Sequence, residues 1–150
     1  MVWEDDNTGD RDVFLAVSNN NGLTFSTPDK ISDNTGTSQS PQISSEGNNV
    51  YVVWQDNTFG SFDIFFAFSA DNGLTFSTPD NLSESTETSA GPQISSEGNN
   101  VYVTWIEVIS TGNFDIFYTT NNQDFGLFGS TLNLSHNAGN SNNPQISSSP

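Results

Sequence analysis

The chain repeats one unit of roughly fifty residues three times, and this repetition limits its possible folds more than any other feature. The phrase PQISSEGNNVYV begins at Pro41 and again at Pro92, and its first five residues recur at Pro144. A period in this range is typical of stacked supersecondary units that bury their apolar faces only against one another. The sequence therefore predicts a single repeat domain over residues 1–150.

Each unit is predicted to contain four β-strands, because strand and turn signals alternate along it and no helical periodicity occurs. A short PQISS strand is followed by an EGNN turn and by a VYVTW strand rich in β-branched and aromatic residues. The third segment, DIFFAFS at 63–69, is apolar on both faces and so needs cover on both sides. The fourth, LTFSTPDNLS at 74–83, is more polar.

Four strands per unit indicate an all-β fold in which each unit is one blade of a β-propeller, sandwiched between its neighbours. An up-and-down stack of hairpins or a β-solenoid is the alternative. With the strands of a blade named A to D in chain order, the chain reads B-C-D, A-B-C-D, A-B-C-D, A. The predicted blades are residues 2–35, completed by 144–148, then 41–86 and 92–137.

Charge and composition exclude several kinds of partner. The chain carries 18 acidic residues against Arg11 and Lys30 alone, a formal net charge of −16. Such a surface repels nucleic-acid phosphates and anionic membranes. No stretch approaches the roughly 20 apolar residues of a membrane span, and a chain without cysteine has neither disulfides nor thiolate metal sites.

Met1 leads directly into a strand-like segment, with no signal peptide before it. We therefore expect an excised or constructed piece of a longer repeat array. Its parent protein is expected to be extracellular or on the cell surface.

A named motif occurs at the third turn of the unit. Residues 69–76, SADNGLTF, match the Asp-box pattern S-x-D-x-G-x-T-W/F at every defined position. Residues 18–25 match it except that asparagine replaces the aspartate, and a third copy near 120–128 is degenerate. Over essentially its whole length the chain thus resembles the sialidase-like (neuraminidase-like), or BNR/Asp-box, repeat proteins. The matched positions are Ser18, Asn20, Gly22, Thr24, Phe25, Ser69, Asp71, Gly73, Thr75 and Phe76.

The resemblance implies a propeller, commonly six-bladed, in which each Asp-box forms the turn between the third and fourth strands of a blade. In that position the box stabilises the fold, because a short Asp or Asn side chain accepts backbone N–H bonds within a tight turn. Gly73 is expected to take a positive φ, and Phe76 to return to the core.

The strand count predicts self-association. Twelve strands make three complete blades if the final strand A joins the initial B-C-D, but three blades fall below the four to eight typical of propeller rings. Open ends would expose strand edges and apolar faces. We therefore expect a homodimer that closes a six-bladed ring by exchanging its last strand, with a nine-bladed trimer as the alternative.

The resemblance also implies a catalytic site, which the residues do not supply. A sialidase site comprises three arginines that grip a carboxylate, a tyrosine nucleophile with a glutamate partner, and an aspartate acid/base. Arg11 is the only arginine, and Lys30 does not replace bidentate carboxylate recognition. We therefore predict no catalytic residues and no enzyme activity.

Six carboxylates recur at equivalent positions of the units, three after the repeated tryptophan and three before the third strand. They are Asp5, Asp12, Asp56, Asp63, Glu107 and Asp115. Glycosidases need only two carboxylates at a suitable separation, but a catalytic pair is normally unique. Such a repeated set predicts turn capping or, as an alternative, a site for Ca²⁺ or a similar hard cation.

Aromatic residues and sequons complete the set of candidates. Phe59, Phe62 and Phe114 lie in or beside the loops between strands B and C, and are candidates for a ligand surface that stacks on glycans. Asn81 and Asn133 begin glycosylation sequons, which chance explains in a chain so rich in Asn and Ser.

The favoured function is a non-catalytic propeller module: a structural or interaction scaffold, or an excised or engineered fragment that closes into a ring. A carbohydrate-binding or carbohydrate-active module and a Ca²⁺-binding extracellular repeat protein are the alternatives. No cofactor is expected other than that cation.

Overall fold

Three antiparallel sheets follow one another along the chain in the computed structural model, which describes residues 1–7, 9–110, 112–121 and 127–149. The first sheet contains β1 (Val2–Asp5), β2 (Asp12–Leu15) and β3 (Asp29–Lys30). The second contains β4 (Ser38–Glu46), β5 (Asn49–Asp56), β6 (Asp63–Ser69) and β7 (Asp80–Asn81). The third contains β8 (Ser89–Glu97), β9 (Asn100–Ser110), β10 (Asn113–Thr120) and β11 (Leu132–Asn133).

Within each sheet every strand pairs only with its neighbours in sequence, so each sheet is one blade in the predicted order. The first blade has strands B, C and D, and the other two have all four. This confirms the all-β class and the strand order of the three blades. The described residues include no helix long and apolar enough to cross a membrane.

The A strands, β4 and β8, are longer than predicted and contain a bulge. In β4 the pairing shifts between Gln39 and Gln42, and β8 shifts at the equivalent place. The prediction that proline begins this strand is wrong, because Pro41 lies inside the bulge, where no ladder bond needs its missing N–H. The residues before the two prolines, Ser40 and Gly91, have positive φ angles of 56° and 62°.

The D strands are much shorter than the predicted segment 74–83. β7 contains only Asp80–Asn81. The residues before it form the Asp-box turn and a stretch that Pro79, having no N–H, cannot join to the ladder. One backbone bond, from Ser77 N to Phe68 O at 2.8 Å, holds this stretch beside β6.

The last predicted strand, 144–148, also differs from expectation, since it pairs with no strand in the described part of the chain. It lies against the third blade, where Ser148 Oγ is 2.8 Å from Ser95 Oγ. This contact repeats the one between the two A strands, where Ser96 Oγ is 2.7 Å from Ser44 Oγ. The segment therefore occupies the position of a further A strand and has no B strand to pair with.

Two apolar cores lie between the blades, because successive side chains of a strand point to opposite faces of its sheet. The core between the first and second blades contains Val13, Leu15, Ile31, Val52, Trp54, Phe65 and Ala67. The core between the second and third blades contains Tyr51, Val53, Ile64, Phe66, Val101, Val103 and Trp105. The strands β5 and β6 contribute to both cores, which confirms the predicted two-sided burial of the DIFFAFS segment.

The antiparallel order places the loops on two rims. The A–B turns and the Asp-boxes lie at one end of the strands, which we call the Asp-box rim. The B–C loops and the D–A connections lie at the other end, which we call the linker rim. All six predicted carboxylates lie on the linker rim.

Candidate functional site

The second Asp-box is a turn closed around the carboxylate of Asp71. Asp71 Oδ1 accepts the backbone N–H groups of Leu74 and Thr75 at 3.0 and 2.9 Å. Its Oδ2 accepts the Thr75 hydroxyl at 2.6 Å. The Ser69 hydroxyl donates to Asp71 Oδ1 at 2.7 Å and accepts the N–H of Gly73 at 2.8 Å. The polar groups of the box are therefore engaged with one another and with the turn.

These hydrogen bonds lower the pKa of Asp71 from 3.8 to about 2. The largest cause is the Thr75 hydroxyl, followed by the Ser69 hydroxyl and the backbone N–H of Thr75. Each bond stabilises the ionised form, so the carboxylate stays charged and accepts hydrogen bonds at neutral pH.

The same box joins the second blade to the first. Asn72 and Gly73 have φ angles of 62° and 83°, the left-handed pair that a type I′ turn requires. Gly73 is buried, and a Cβ atom there would lie 3.0 Å from Val17 Cγ2 of the first blade. Phe76, at the end of the box, packs against the core between the two blades.

The first Asp-box builds the same turn with an amide. Asn20 Oδ1 accepts the backbone N–H of Thr24 at 2.9 Å and the Ser18 hydroxyl at 3.0 Å. Asn20 Nδ2 donates to Thr24 Oγ1 at 2.8 Å, and Gly22 N donates to Ser18 Oγ at 2.8 Å. Phe25, however, is 46% exposed, because none of the three described sheets covers that side of the first blade.

The degenerate third box, predicted near 120–128, lies partly outside the described residues. At its start Asn121 takes the serine position, and its side-chain oxygen accepts the N–H of Val101 at 2.8 Å. At its end Phe128 meets Phe66 edge-on, with ring centroids 4.8 Å apart. Both ends of this segment therefore fasten the third blade, one within the blade and one to the second blade.

On the linker rim, each C strand has an aspartate at or near its start that is buried and held by the connection that follows its blade. Asp63 Oδ1 accepts the Ser83 hydroxyl at 2.9 Å, and Oδ2 accepts Asn81 Nδ2 at 3.0 Å. Ser83 Oγ in turn accepts the backbone N–H of Ile64 at 3.0 Å. We call this arrangement of aspartate, serine and amide the aspartate clamp.

The third blade repeats the aspartate clamp at Asp115. Its carboxylate accepts Asn133 Nδ2 at 2.6 Å and the Ser135 hydroxyl at 2.9 Å. These two bonds lower the pKa of Asp115, the asparagine contributing most, while desolvation acts in the opposite direction.

In the first blade a lysine replaces the asparagine of the clamp. Asp12 Oδ1 accepts the Ser32 hydroxyl at 3.2 Å and lies 2.9 Å from Lys30 Nζ. The repeated N-L-S sequences at Asn81 and Asn133 thus supply both clamp partners of an aspartate. Their recurrence has a structural cause, which the prediction of chance overlooked.

The carboxylate at the end of strand B in the second blade holds the connection between blades. Asp56 Oδ2 accepts Asn34 Nδ2 at 2.6 Å and also the Ser38 hydroxyl. Its Oδ1 accepts the backbone N–H of Thr58 at 2.8 Å. We call a B-strand carboxylate with its two donors, four residues apart, the linker clamp.

The linker clamp of the third blade uses a longer acid and a shorter donor. Glu107 accepts the hydroxyl groups of Ser85 and Ser89 at 3.0 and 3.3 Å. It also accepts Trp105 Nε1 at 3.2 Å. The glutamate thus pairs with serine at the position where the aspartate of the second blade pairs with asparagine, so that acid and donor are matched in length.

In the first blade the equivalent acid is Asp5, which accepts the backbone N–H of Asn7 at 2.8 Å. Within the described ranges that blade has no A strand whose linker could hold Asp5. The six predicted carboxylates form three pairs, each directly opposite across a B–C hairpin. Among the described residues no group of three or more His, Cys, Asp or Glu side chains is placed to hold a metal ion, and the Ca²⁺ hypothesis stays a prediction.

The three predicted aromatic residues differ in how much of each ring is open. Phe59 is 72% exposed, and its ring stacks on Phe65 with centroids 6.0 Å apart. Phe62 and Phe114 are half-buried beside the linkers, and their carbonyl groups accept linker N–H groups at 2.7 and 2.8 Å. Of the three, Phe59 presents the widest ring surface.

Sequence reasoning identified the acids but not their donors. Three serines complete the aspartate clamps, and each stands 20 residues after its aspartate. They are Ser32, Ser83 and Ser135. The sequence did contain a signal for these donors, namely the constant spacing of 20 residues between each recurring aspartate and a recurring serine.

Comparisons with known proteins bear on the fold. No protein-family model matches the chain, and a search of curated proteins gave no match. Among solved structures, the chain is similar to the GH93 α-L-arabinofuranosidase of Fusarium graminearum in complex with arabinobiose, with a TM-score of 0.52 and 10% identity. A mutant α-L-arabinofuranosidase of the same organism, in complex with an iminosugar inhibitor, gives the same values.

Each alignment covers 83% of this chain and 40% of the enzyme chain, so this chain spans less than half of the structures that it matches. The GH93 enzyme is a six-bladed β-propeller, and the likeness confirms a propeller fold for these three blades. An identity of 10% shows the fold alone. The resemblance to the sialidase-like Asp-box proteins stays a prediction.

Proposed function

We propose that the chain is a non-catalytic β-propeller module that acts as a structural or interaction scaffold. One observation carries this proposal: the repeated acids are engaged in clamps and turns that recur from blade to blade. Asp63 and Asp115 accept bonds in the aspartate clamps, and Asp56 and Glu107 accept bonds in the linker clamps. Asp71 closes an Asp-box.

Two of these acids are also held in the ionised form by their hydrogen-bond partners. Here the pKa values of Asp71 and Asp115 are both lowered, in each case chiefly by a hydrogen bond from a neighbouring side chain. A lowered pKa keeps a carboxylate ionised and unable to serve as a general acid near neutral pH.

The proposal is tested by measuring hydrolysis of a panel of aryl glycosides that includes an α-L-arabinofuranoside and a sialoside. The expected result is no turnover above that of buffer. Turnover that disappears in Asp63→Asn and in Asp56→Asn, while circular dichroism shows both variants folded, would contradict it.

A second candidate, carbohydrate binding, is favoured by the exposed ring of Phe59 on the linker rim. Aromatic faces supply large apolar contact area to ligands. Because one of the similar structures holds arabinobiose, arabino-oligosaccharides belong in the glycan panel. Binding that is lost in Phe59→Ala and kept in Leu74→Ala would support this candidate, since Leu74 is 74% exposed on the opposite rim. If the wild-type chain bound no glycan of the panel, the carbohydrate-binding candidate would be rejected.

A further inference from the structure

The two ends of the three-blade stack are incomplete in complementary ways. Among the strands that the structure describes, none is an A strand beside β1 at one end, and none is a B strand beside residues 144–148 at the other end. The end faces are also less buried than their internal equivalents. Trp3 is half-buried, whereas Trp54 and Trp105 at the same repeat position are fully buried.

We propose that a second copy of this chain occupies both ends, so that two copies close a six-bladed ring in which residues 144–148 of each pair with β1 of the other. The inference rests on the proposed scaffold function and names the partner of that scaffold. The first blade of each copy lacks an A strand, and the terminal segment of the other copy supplies one. The same head-to-tail interface therefore forms twice in the ring and completes both first blades.

The terminal segment shares two backbone features with the A strands. Asn143, the residue before its proline, has a φ of 54°, close to the 56° and 62° of Ser40 and Gly91 at the bulges of β4 and β8. Ser141 N donates to Phe114 O at 2.8 Å, and the first residues of β4 and β8 make the same bond to the residue before the clamp aspartate of the preceding blade. Pairing with β1 would keep both of these features.

The donors of a linker clamp are also in place at this end. Asn137 Nδ2 donates to Ser141 Oγ at 2.9 Å, just as Asn34 Nδ2 donates to Ser38 Oγ at 3.3 Å in the clamp of the second blade. An asparagine and serine pair holds an aspartate there, whereas the glutamate of the third blade is held by two serines. The acid that β1 offers at this position is an aspartate, Asp5, so the lengths match.

The apolar faces at the two ends correspond in the same way. Trp3 and Phe14 stack with centroids 6.1 Å apart on the open face of the first blade. Tyr102 and Tyr118 are half-buried on the outer face of the third blade, at the positions of Tyr51 and Phe66, which are each 1% exposed inside the stack.

A missing A strand in the first blade also explains the exposure of Ile43. Its equivalent in β8, Ile94, packs against the core between the second and third blades. Ile43 is 39% exposed, because no A strand of the first blade lies beside β4. The partner's terminal segment would fill that place and cover Ile43.

The number of copies follows from closure. A head-to-tail joint produces a closed ring only when the rotation per copy divides a full turn, and otherwise produces filaments. The aligned 83% of this chain covers 40% of a chain that folds as a six-bladed propeller. The whole chain therefore corresponds to about half of such a ring, and two copies complete the circle.

The internal sheets fix the register of the proposed joint. Gln42 pairs with Val53, and Gln93 pairs with Thr104. By the same repeat positions Gln145 of one copy lies opposite Val2 of the other. The chain contains no cysteine, so a disulfide between introduced cysteines at these two positions reports this register directly. Directly opposite residues bring their Cβ atoms within reach of one another.

The test oxidises the double variant Val2→Cys, Gln145→Cys and separates the products without reductant. We expect a covalent dimer. The control, Val2→Cys with Ile146→Cys, shifts the register by one residue and turns one side chain to the other face, so it should link much more slowly. The proposal would be overturned if the two variants formed intermolecular disulfides equally fast, or if the disulfide formed within one chain.

A second set of variants tests the linker clamp across the joint by sedimentation equilibrium. Asp5→Ala should raise the dimer dissociation constant about tenfold or more, since each joint loses hydrogen bonds to a charged acceptor. Asp10→Ala, in an exposed loop, should leave it unchanged. Asp5→Glu should weaken the dimer, and the added change Asn137→Ser should restore it by copying the glutamate clamp. Equal dissociation constants for wild type and Asp5→Ala would contradict the clamp.

Glycoside hydrolysis measured on the same samples separates the two proposals. A folded monomer or trimer without turnover overturns the two-copy ring and leaves the scaffold function standing. A dimer with turnover supports the ring and overturns the scaffold function.

Discussion

At the scale of single residues, the two Asp-boxes show that an amide can replace the central carboxylate without changing the turn. Asn20 Oδ1 accepts the serine hydroxyl and the threonine N–H of its box just as Asp71 Oδ1 does. The side-chain bond to the threonine is kept with its direction reversed, because the amide donates to Thr24 Oγ1 whereas the carboxylate accepts from Thr75 Oγ1. The difference between the boxes is charge, because only Asp71 can gain a proton as the pH falls.

We therefore predict that Asp71→Asn folds normally and is less sensitive to acid than the wild type. The pKa of Asp71 is about 2 in the folded state against 3.8 ordinarily. Its ionised form stabilises the folded state above about pH 4, and this contribution is lost as the pH falls toward about 2. Urea unfolding of both proteins between about pH 5 and about pH 2 measures the effect, and parallel stability curves would show that the box does not act in this way.

Two glycines with nearly the same positive φ differ in what surrounds them. Gly73→Ala and Gly22→Ala both place a Cβ atom at a positive φ, 83° and 81° respectively, which costs about 1–2 kcal/mol. Only at Gly73 does that atom meet another blade, 3.0 Å from Val17 Cγ2. We predict a clearly larger loss of unfolding free energy for Gly73→Ala. If urea titrations gave equal losses of unfolding free energy for the two variants, the packing between the first two blades would have to accommodate the added methyl group at little cost.

At the scale of strands and connections, the clamps explain how short D strands hold their place. β7 has only two residues, yet Asn81 and Ser83 on either side of Leu82 bind the carboxylate of Asp63 in the neighbouring strand. Side-chain bonds to a buried charge thus replace the ladder bonds that a longer strand would make.

The aspartate clamp predicts that two substitutions of Asn81 differ in their effect on stability. Asn81→Lys copies the pair of Lys30 with Asp12, 2.9 Å apart in the first blade, and should change stability by less than about 1 kcal/mol. Asn81→Asp removes the donor and sets two carboxylates together, and should cost about 1–3 kcal/mol. Thermal unfolding at neutral pH distinguishes the two, and a more stable Asn81→Asp variant would refute the clamp.

Sequence patterns predicted well the strands that lie in the middle of every blade, because the repeat places another blade against each of their faces. Strands B and C were predictable because their apolar residues alternate, as in β5, between two cores. The bulge at Pro41 and the shortness of β7 depend on which backbone groups find partners in space, which apolar periodicity does not encode. The clamp acids were visible as a recurring set, but their donors lie 18 to 22 residues away.

At the scale of the whole molecule, charge opposes the association that the open ends favour. Each copy carries a formal net charge of −16, so two copies repel one another at low salt. We predict that the dimer dissociation constant falls as salt rises from about 0.01 M to about 1 M, over which the Debye length shrinks from about 30 Å to about 3 Å. Sedimentation equilibrium across this range measures the trend, and tighter association at low salt would show that attractive charge contacts dominate the joint.

The mass of the folded wild-type chain in solution tests the central claim most directly. Native mass spectrometry, supported by light scattering at raised salt, should show one species at twice the chain mass of 16.2 kDa. That result is what a six-bladed ring of two three-bladed chains requires. A folded species at the mass of one chain, or at three times that mass, would contradict it.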